Sequence, residues 1–146
     1  MKTVVQRVKS ARVLVDDRII GEIETGLLAL IGVGKDDTLK EVDFVADKIV
    51  NLRIFEDQSG KMNLSVLDIG GQVLAVPQFT LYGDVKKGRR PNFTEAALPE
   101  LGKSLFDEII RKITERGIKV NTGEFGAKML VEISNDGPCT IIIDSE

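Results

Sequence analysis

Three short stretches of the chain carry groups that could do chemistry. In Pro77-Gln78-Phe79-Thr80-Leu81-Tyr82-Gly83-Asp84 an apolar run gives way to a polar loop. Gln78 and Thr80 are two residues apart, so on a strand an amide and a hydroxyl project from one face beside the backbone N–H groups of the strand end. Donors placed this way can hold a carbonyl oxygen as negative charge develops on it, and one such donor is typically worth ~10²–10³ in rate. The same groups also suit a strand end satisfied by its own loop. The second stretch, Asn135-Asp136-Gly137-Pro138-Cys139-Thr140, sets a Gly-Pro pair between two strand-like runs. Glycine permits unusual backbone angles and proline removes an N–H, so the pair marks a rigid exposed corner with two carbonyls, either an ordinary trans turn or a cis bond fixed by the fold. The third, Gly123-Glu124-Phe125-Gly126-Ala127-Lys128-Met129, places small residues around a phenylalanine. It suits a shallow platform for a ring, or core packing of Phe125.

What is missing narrows the chemistry. There is no histidine, so imidazole bases, Ser-His-Asp or Cys-His nucleophiles and histidine-ligated metals are excluded. The single cysteine, Cys139, cannot close an internal disulfide, and without other thiols or histidine a typical structural zinc site is excluded. No metal or cofactor is expected. Proton transfers would fall to carboxylates, water or the substrate. A net charge of −3 gives no global pull toward nucleic acid. The local basic run Lys86-Lys87-Gly88-Arg89-Arg90 suits a solvated loop. No apolar run approaches the ~20 residues of a membrane span, and the alternating N-terminus does not resemble a signal peptide, so a cytoplasmic protein without a membrane partner is expected.

These stretches need elements to position them. Thr3 to Val15 alternates as a long strand, Asp16-Asp17 breaks it, and Ile19 to Ile23 makes the return arm of a hairpin. The apolar run Leu27 to Val33 predicts a strand buried on both faces. Thr38-Leu39-Lys40-Glu41 has the form of a capping box, followed by helical spacing of Leu39, Val42, Val45, Ala46, Ile49 and Val50 to about Leu52. Arg53 to Glu56 and Leu64 to Leu67 flank a turn-rich stretch as a hairpin. Gln72 to Phe79 predicts another buried strand, with Pro77 favouring an end or edge. A second helix is expected between Thr94 and Arg116, with Pro99 in its first turn and Gly117 at its end. Ile118 to Val120, Met129 to Ile133 and Cys139 to Ile143 add three short strands. The sum is one domain, residues 1–146, of α/β composition in the α+β sense: an antiparallel or mixed sheet, curled and barrel-like, with two main helices on one side.

Taken together, the three stretches and Val4-Val5-Gln6-Arg7-Val8 resemble the D-aminoacyl-tRNA deacylase family over essentially the whole chain. The resemblance implies that family's fold and a homodimer in which the Gly-Pro pair of one subunit, in the cis form, enters the other's active site. It also implies hydrolysis of the ester joining a D-amino acid to the terminal ribose of tRNA, with glycyl-tRNA as a further substrate, and no DNA partner. Carried onto this chain, Gln78, Phe79 and Thr80 are the catalytic strand end, Phe79 through its backbone N–H and Gln78 by positioning. Thr80 is a hydrogen-bonding scaffold or a nucleophile, and without a resident base the scaffold is preferred. Gly137 and Pro138 refuse an L side chain, Arg7 holds their carbonyls, and Phe125, Gly126, Ala127 and Met129 line the terminal adenosine. Two positions depart from the family pattern: Pro77 stands where serine is common, and Cys139 where valine is common. A sister group with a trans Gly-Pro that accepts some L-aminoacyl-tRNAs, and a non-catalytic RNA-end-binding dimer, are the alternatives.

Overall fold

A computed structural model describes all 146 residues, Met1–Glu146. The organising strand is β1 (Lys2–Val15), which uses both of its edges. One edge is shared: residues 2–8 pair antiparallel with β3 (Gly26–Gly32) and residues 11–15 with β2 (Arg18–Ile23). The β1–β2 turn is Asp16-Asp17, both at positive φ, as a tight hairpin requires. The other edge of β1 pairs along its length with β8 (Leu130–Asp144). Beyond β3 lie β6 (Gln72–Pro77) and β7 (Lys119–Thr122), each parallel to its neighbour. The Asn121 amide donates to the Glu22 carbonyl at 2.5 Å, bringing β7 back beside β2, so the six-stranded mixed sheet is nearly closed.

Burial follows side-chain alternation. From β3 and β6, Leu27, Ala29, Ile31, Val73 and Ala75 pack under the helices. Leu28, Leu74 and Val76 face the opposite way, into the barrel with Val8, Val13 and Ile23. Both strands are therefore buried on two faces, as parallel strands under crossover helices are. Helix α1 (Leu39–Asn51) makes the first crossover and α2 (Pro99–Glu115) the second, with Val42, Val45, Ile49, Ile109 and Ile113 fully buried between them and the sheet. The expected capping box is present: the Thr38 hydroxyl accepts from the Lys40 N–H at 3.2 Å, and Glu41 accepts from the Thr38 N–H at 2.7 Å. The Thr38 hydroxyl also donates to Glu41 at 2.7 Å, and that bond, with the one from the Thr38 N–H, holds the Glu41 carboxyl below its ordinary range. No helix is long and apolar enough to cross a membrane.

Three expectations need correction. The two strands expected over Met129–Ile133 and Cys139–Ile143 are one strand, β8, because β1 pairs on both sides of the Gly-Pro interruption. The second hairpin arm lies earlier than expected, as β4 (Phe55–Glu56) pairs with β5 (Met62–Leu64). Ser65 and Asp68 cap each other's backbone N–H groups at 2.9 and 3.0 Å and turn the chain away before Leu67. Pro77 closes β6, at an end as expected, where only β3 still pairs with it. Phe79 lies outside the strand, in a single 3-10 turn, Phe79–Tyr82.

The N-terminus is tied into this frame. The Met1 ammonium donates to Asp37 at 2.7 Å and to the Ser145 hydroxyl at 2.6 Å, and Met1 is fully buried. Asp37 also accepts from the Gly34 N–H at 2.5 Å. Removing this carboxylate strands two donors, so Asp37→Ala is expected to cost about 1–3 kcal/mol in denaturant unfolding. Lys35→Gln, which breaks the exposed pair with Glu95, is expected to cost under about 1 kcal/mol.

Candidate active site

The carboxyl ends of β3, β6 and β7 open onto one cleft of about 620 Å³. Ligand sites commonly form where parallel strands end, because backbone groups there leave the ladder. Ile31 and Val33 contribute from the β3 side, Val76, Pro77 and Gln78 from β6, and Phe125, Gly126, Ala127 and Met129 from the loop between β7 and β8. Phe106 and Gly102 of α2 close one wall, while Phe79 and Phe93 stand at another, their rings edge to face at 5.1 Å. Among the 18 lining residues Gln78 is the one polar side chain, and none is ionisable.

Local structure explains how Gln78 and its neighbours are set. Pro77 ends the ladder, yet the Gln78 N–H still donates to the Ile31 carbonyl at 2.8 Å. Gln78 then leaves the strand at φ −142° and ψ 75°, and the chain enters the 3-10 turn. The first bond of that turn runs from Leu81 N–H to the Gln78 carbonyl at 3.3 Å, so the Phe79 and Thr80 N–H groups precede it and are not consumed within it. Gln78 and Thr80 do meet, but through the turn and not as strand neighbours: the Gln78 amide donates to the Thr80 hydroxyl. Thr80 has no carboxylate or amine partner. Behind the turn the Tyr82 hydroxyl is buried without a partner, and burial together with Asp37 raises its pKa well above the ordinary phenol range.

The β7–β8 loop is shaped by close approaches. Gly126 has φ +77°, and Ala127 N–H donates to the Glu124 carbonyl at 3.2 Å. A Cβ on Gly123 would lie 2.7 Å from the Met129 sulfur, and one on Gly102 would lie 3.2 Å from the Phe125 ring. Gly102 is a site residue missed in the sequence. A buried glycine inside an otherwise sound helix was the available signal, because it costs roughly 1 kcal/mol against alanine and needs a packing reason.

Arg7, Gly137 and Pro138 lie outside this chain's cleft. Between β1 and β8 the pairing jumps from Gln6↔Thr140 to Val8↔Asn135, so Asp136 to Cys139 bulge opposite Arg7 alone. The Gly137–Pro138 bond is cis and both residues are exposed. Arg7 is 7% exposed, and its guanidinium donates to the Asp136 carbonyl at 3.1 Å and the Ile54 carbonyl at 2.6 Å. Its anchor is therefore one residue ahead of the Gly-Pro carbonyls expected from sequence. Gly137 takes φ +122°, and a Cβ there would lie 2.7 Å from Arg7 Nη2. The positive φ calls for glycine, and a side chain there would also have to displace the Arg7 guanidinium. Cys139 is a buried free thiol packed in the core.

No three acidic, cysteine or histidine side chains come together as a metal site would need. The arrangement can orient and polarise a neutral ester; it holds no nucleophile–base pair.

Residues 4–144 match the family model described as D-Tyr-tRNA(Tyr) deacylase. Among curated relatives, a D-aminoacyl-tRNA deacylase of Clostridioides difficile (strain 630) is 57% identical over 99% of this chain and 97% of its own length. One of Thermosipho africanus (strain TCF52B) is 53% identical over 100% and 98%. Among solved structures, a protein named c-Myc DNA Unwinding Element Binding Protein superposes with a TM-score of 0.94 at 40% identity, covering 100% of this chain and 99% of that one. A structure titled as that of a probable eukaryotic D-amino acid tRNA deacylase gives 0.85 at 19% identity over 97% of each, a likeness of fold. With its α+β fold and its cleft at the strand ends, the chain belongs to the D-Tyr-tRNA(Tyr) deacylase family and is a deacylase, an enzyme of the hydrolase class.

Proposed function

We propose that the enzyme hydrolyses the ester between a D-amino acid, or glycine, and the terminal ribose of tRNA, working as a cytoplasmic homodimer of single 146-residue domains. The observation that carries this reading is a cleft with one polar side chain and no ionisable one. Such a site suits a substrate that is already activated. The water oxygen bonds to the acyl carbon, the ester C–O bond breaks, and the ribose oxygen leaves with a proton, releasing free amino acid and tRNA. The Phe79 and Thr80 N–H groups bracket the acyl oxygen as it gains charge, Gln78 orients the turn, and the ribose 2′-hydroxyl beside the ester positions the attacking water. Thr80 serves as scaffold, its hydroxyl accepting from Gln78 with no base to activate it. Phe125, Gly126, Ala127 and Met129 take the terminal adenosine by packing and backbone contact.

Selectivity comes from a second subunit. Gly137 and Pro138 are exposed and stand outside the cleft of their own chain, and β8 around them exposes Leu130, Ile133 and Ile142 for a second copy to cover. Inserted into the partner's cleft, their carbonyls accept hydrogen bonds from the substrate ammonium and fill the space of an L side chain. A D side chain points outward and glycine passes, because this is exclusion by a wall.

Amino-acid release from matched D- and L-tyrosyl-tRNA tests the reading directly. Rapid release of D-tyrosine with L-tyrosyl-tRNA spared is expected; no release from either sinks the catalytic assignment, and equal release sinks the wall. Thr80→Ala is expected to keep measurable activity, whereas a nucleophile's loss would abolish it. Arg7→Lys gives up the planar fork that reaches the Ile54 and Asp136 carbonyls together. Loss of one such charged bond is worth about 1.5–3 kcal/mol, so D-over-L discrimination is expected to fall roughly ten-fold to a hundred-fold.

A further inference from the structure

The basic run 86–90 is not absorbed by the chemistry above, and the fold gives it a fixed place. It forms the tip of a loop whose neck is closed by two backbone bonds: Asp84 N–H to the Asn92 carbonyl at 2.8 Å and Asn92 N–H to the Asp84 carbonyl at 3.0 Å. The Asp84 side chain caps the first turn of the tip, accepting from Lys86 N–H at 2.8 Å. Both ends of the loop are close in sequence to residues that line the cleft. Asp84 follows the Phe79–Tyr82 turn by two residues, and Phe93, next to Asn92, packs on Phe79. Arg90 is three residues from Phe93, at most about 11 Å of chain.

The charges at the tip are uncommitted. Lys86, Lys87, Arg89 and Arg90 are all exposed and none is ion-paired, and no other stretch of the chain gathers four unpaired cations within five residues. In a chain whose 23 acidic residues outnumber its 20 lysines and arginines, net charge does not draw a polyanion to the surface at large. A cluster of four free cations beside the cleft mouth is where it would be received. Gly88, at φ +91°, with nothing within 4 Å of a Cβ, lets the tip reverse without burying any of the four.

We infer that the 86–90 loop is a phosphate clamp: it grips the sugar-phosphate backbone of the tRNA acceptor arm while the acylated 3′ end lies in the adjacent cleft. This rests on the proposed aminoacyl-tRNA substrate. Neutralised backbone phosphates release counterions, so binding through the clamp carries a salt dependence independent of sequence. Because the cations lie outside the cleft, the clamp adds affinity for the RNA body without touching the ester.

The variant Lys86→Gln/Lys87→Gln/Arg89→Gln/Arg90→Gln tests this in the full-length protein. Binding of uncharged tRNA is followed against salt concentration, alongside hydrolysis of D-tyrosyl-tRNA and of the minimal ester D-tyrosyl-adenosine. The expected result is a slope of log affinity against log salt shallower by about three, and tRNA binding weaker by about ten-fold or more at low salt. Hydrolysis of D-tyrosyl-adenosine stays within two-fold. An unchanged slope overturns the clamp, as does an equal fall on both esters, which would mean the loop acts on the cleft. Loss of duplex-DNA binding with tRNA binding intact also overturns it, assigning the loop to DNA. If the wild-type enzyme hydrolyses neither ester yet the variant loses the tRNA salt slope, the clamp stands and the catalytic reading falls.

Discussion

A strand buried on both faces and paired on both edges can end only where its backbone groups find other partners, and the end of β6 is the constraint on which the site depends. Pro77 supplies no N–H to the ladder, Gln78 makes one last bond to Ile31, and the next residues wind into a 3-10 turn. That change of direction leaves the Phe79 and Thr80 N–H groups outside the ladder, beside an apolar cleft that Gln78 and Phe79 line. Everything else around the cleft supports it: α1 and α2 cover β3 and β6 from one side, the barrel interior fills the other, and Phe93 braces Phe79. In a site without ionisable side chains, fixed dipoles are the remaining means of stabilising charge, and they act strongly only if they need no reorganisation.

The Gly-Pro corner depends on an equally local arrangement at the other edge of β1. Four residues of β8 face Arg7 alone, and the extra length is thrown outward. A buried guanidinium fixed on two carbonyls, one from the α1–β4 connection and one from the corner itself, joins that bulge to the core. Gly137 is then confined between its positive φ and the nearby Nη2. The corner is exposed and yet held, a combination suited to shaping a neighbour's pocket.

Much of this was legible in the residues because local rules and burial agreed. Helix α1 announced itself through Thr38 and Glu41, and β3 through a run with no polar interruption. The β1–β2 turn was marked by paired aspartates. What misled was local chemistry that looked continuous or broken from sequence alone. Phe79 extends the apolar pattern of β6, but Pro77 had already ended the ladder. Gly137-Pro138 reads as a strand break, although β1 bridges it from both sides with pairings more than a hundred residues away in sequence. The motif residues of the cleft were recognisable only as a group, from the family resemblance. Gly102 and the Ile54 carbonyl, which serve that group by proximity alone, carried no motif. Arg7 was identified as an anchor, while its acceptor, Asp136, is set by a register that spacing does not reveal.

On the proposed reading, the protein orients and polarises while the substrate supplies the group beside the water. Deacylation of D-tyrosyl-tRNA ending in 2′-deoxyadenosine, with the amino acid on the 3′-oxygen, tests it most directly. The expected rate is lower by about 10²-fold or more with binding little changed, in line with the loss of one positioned hydrogen-bonding group. Undiminished hydrolysis would contradict it and require a water-activating group from the protein.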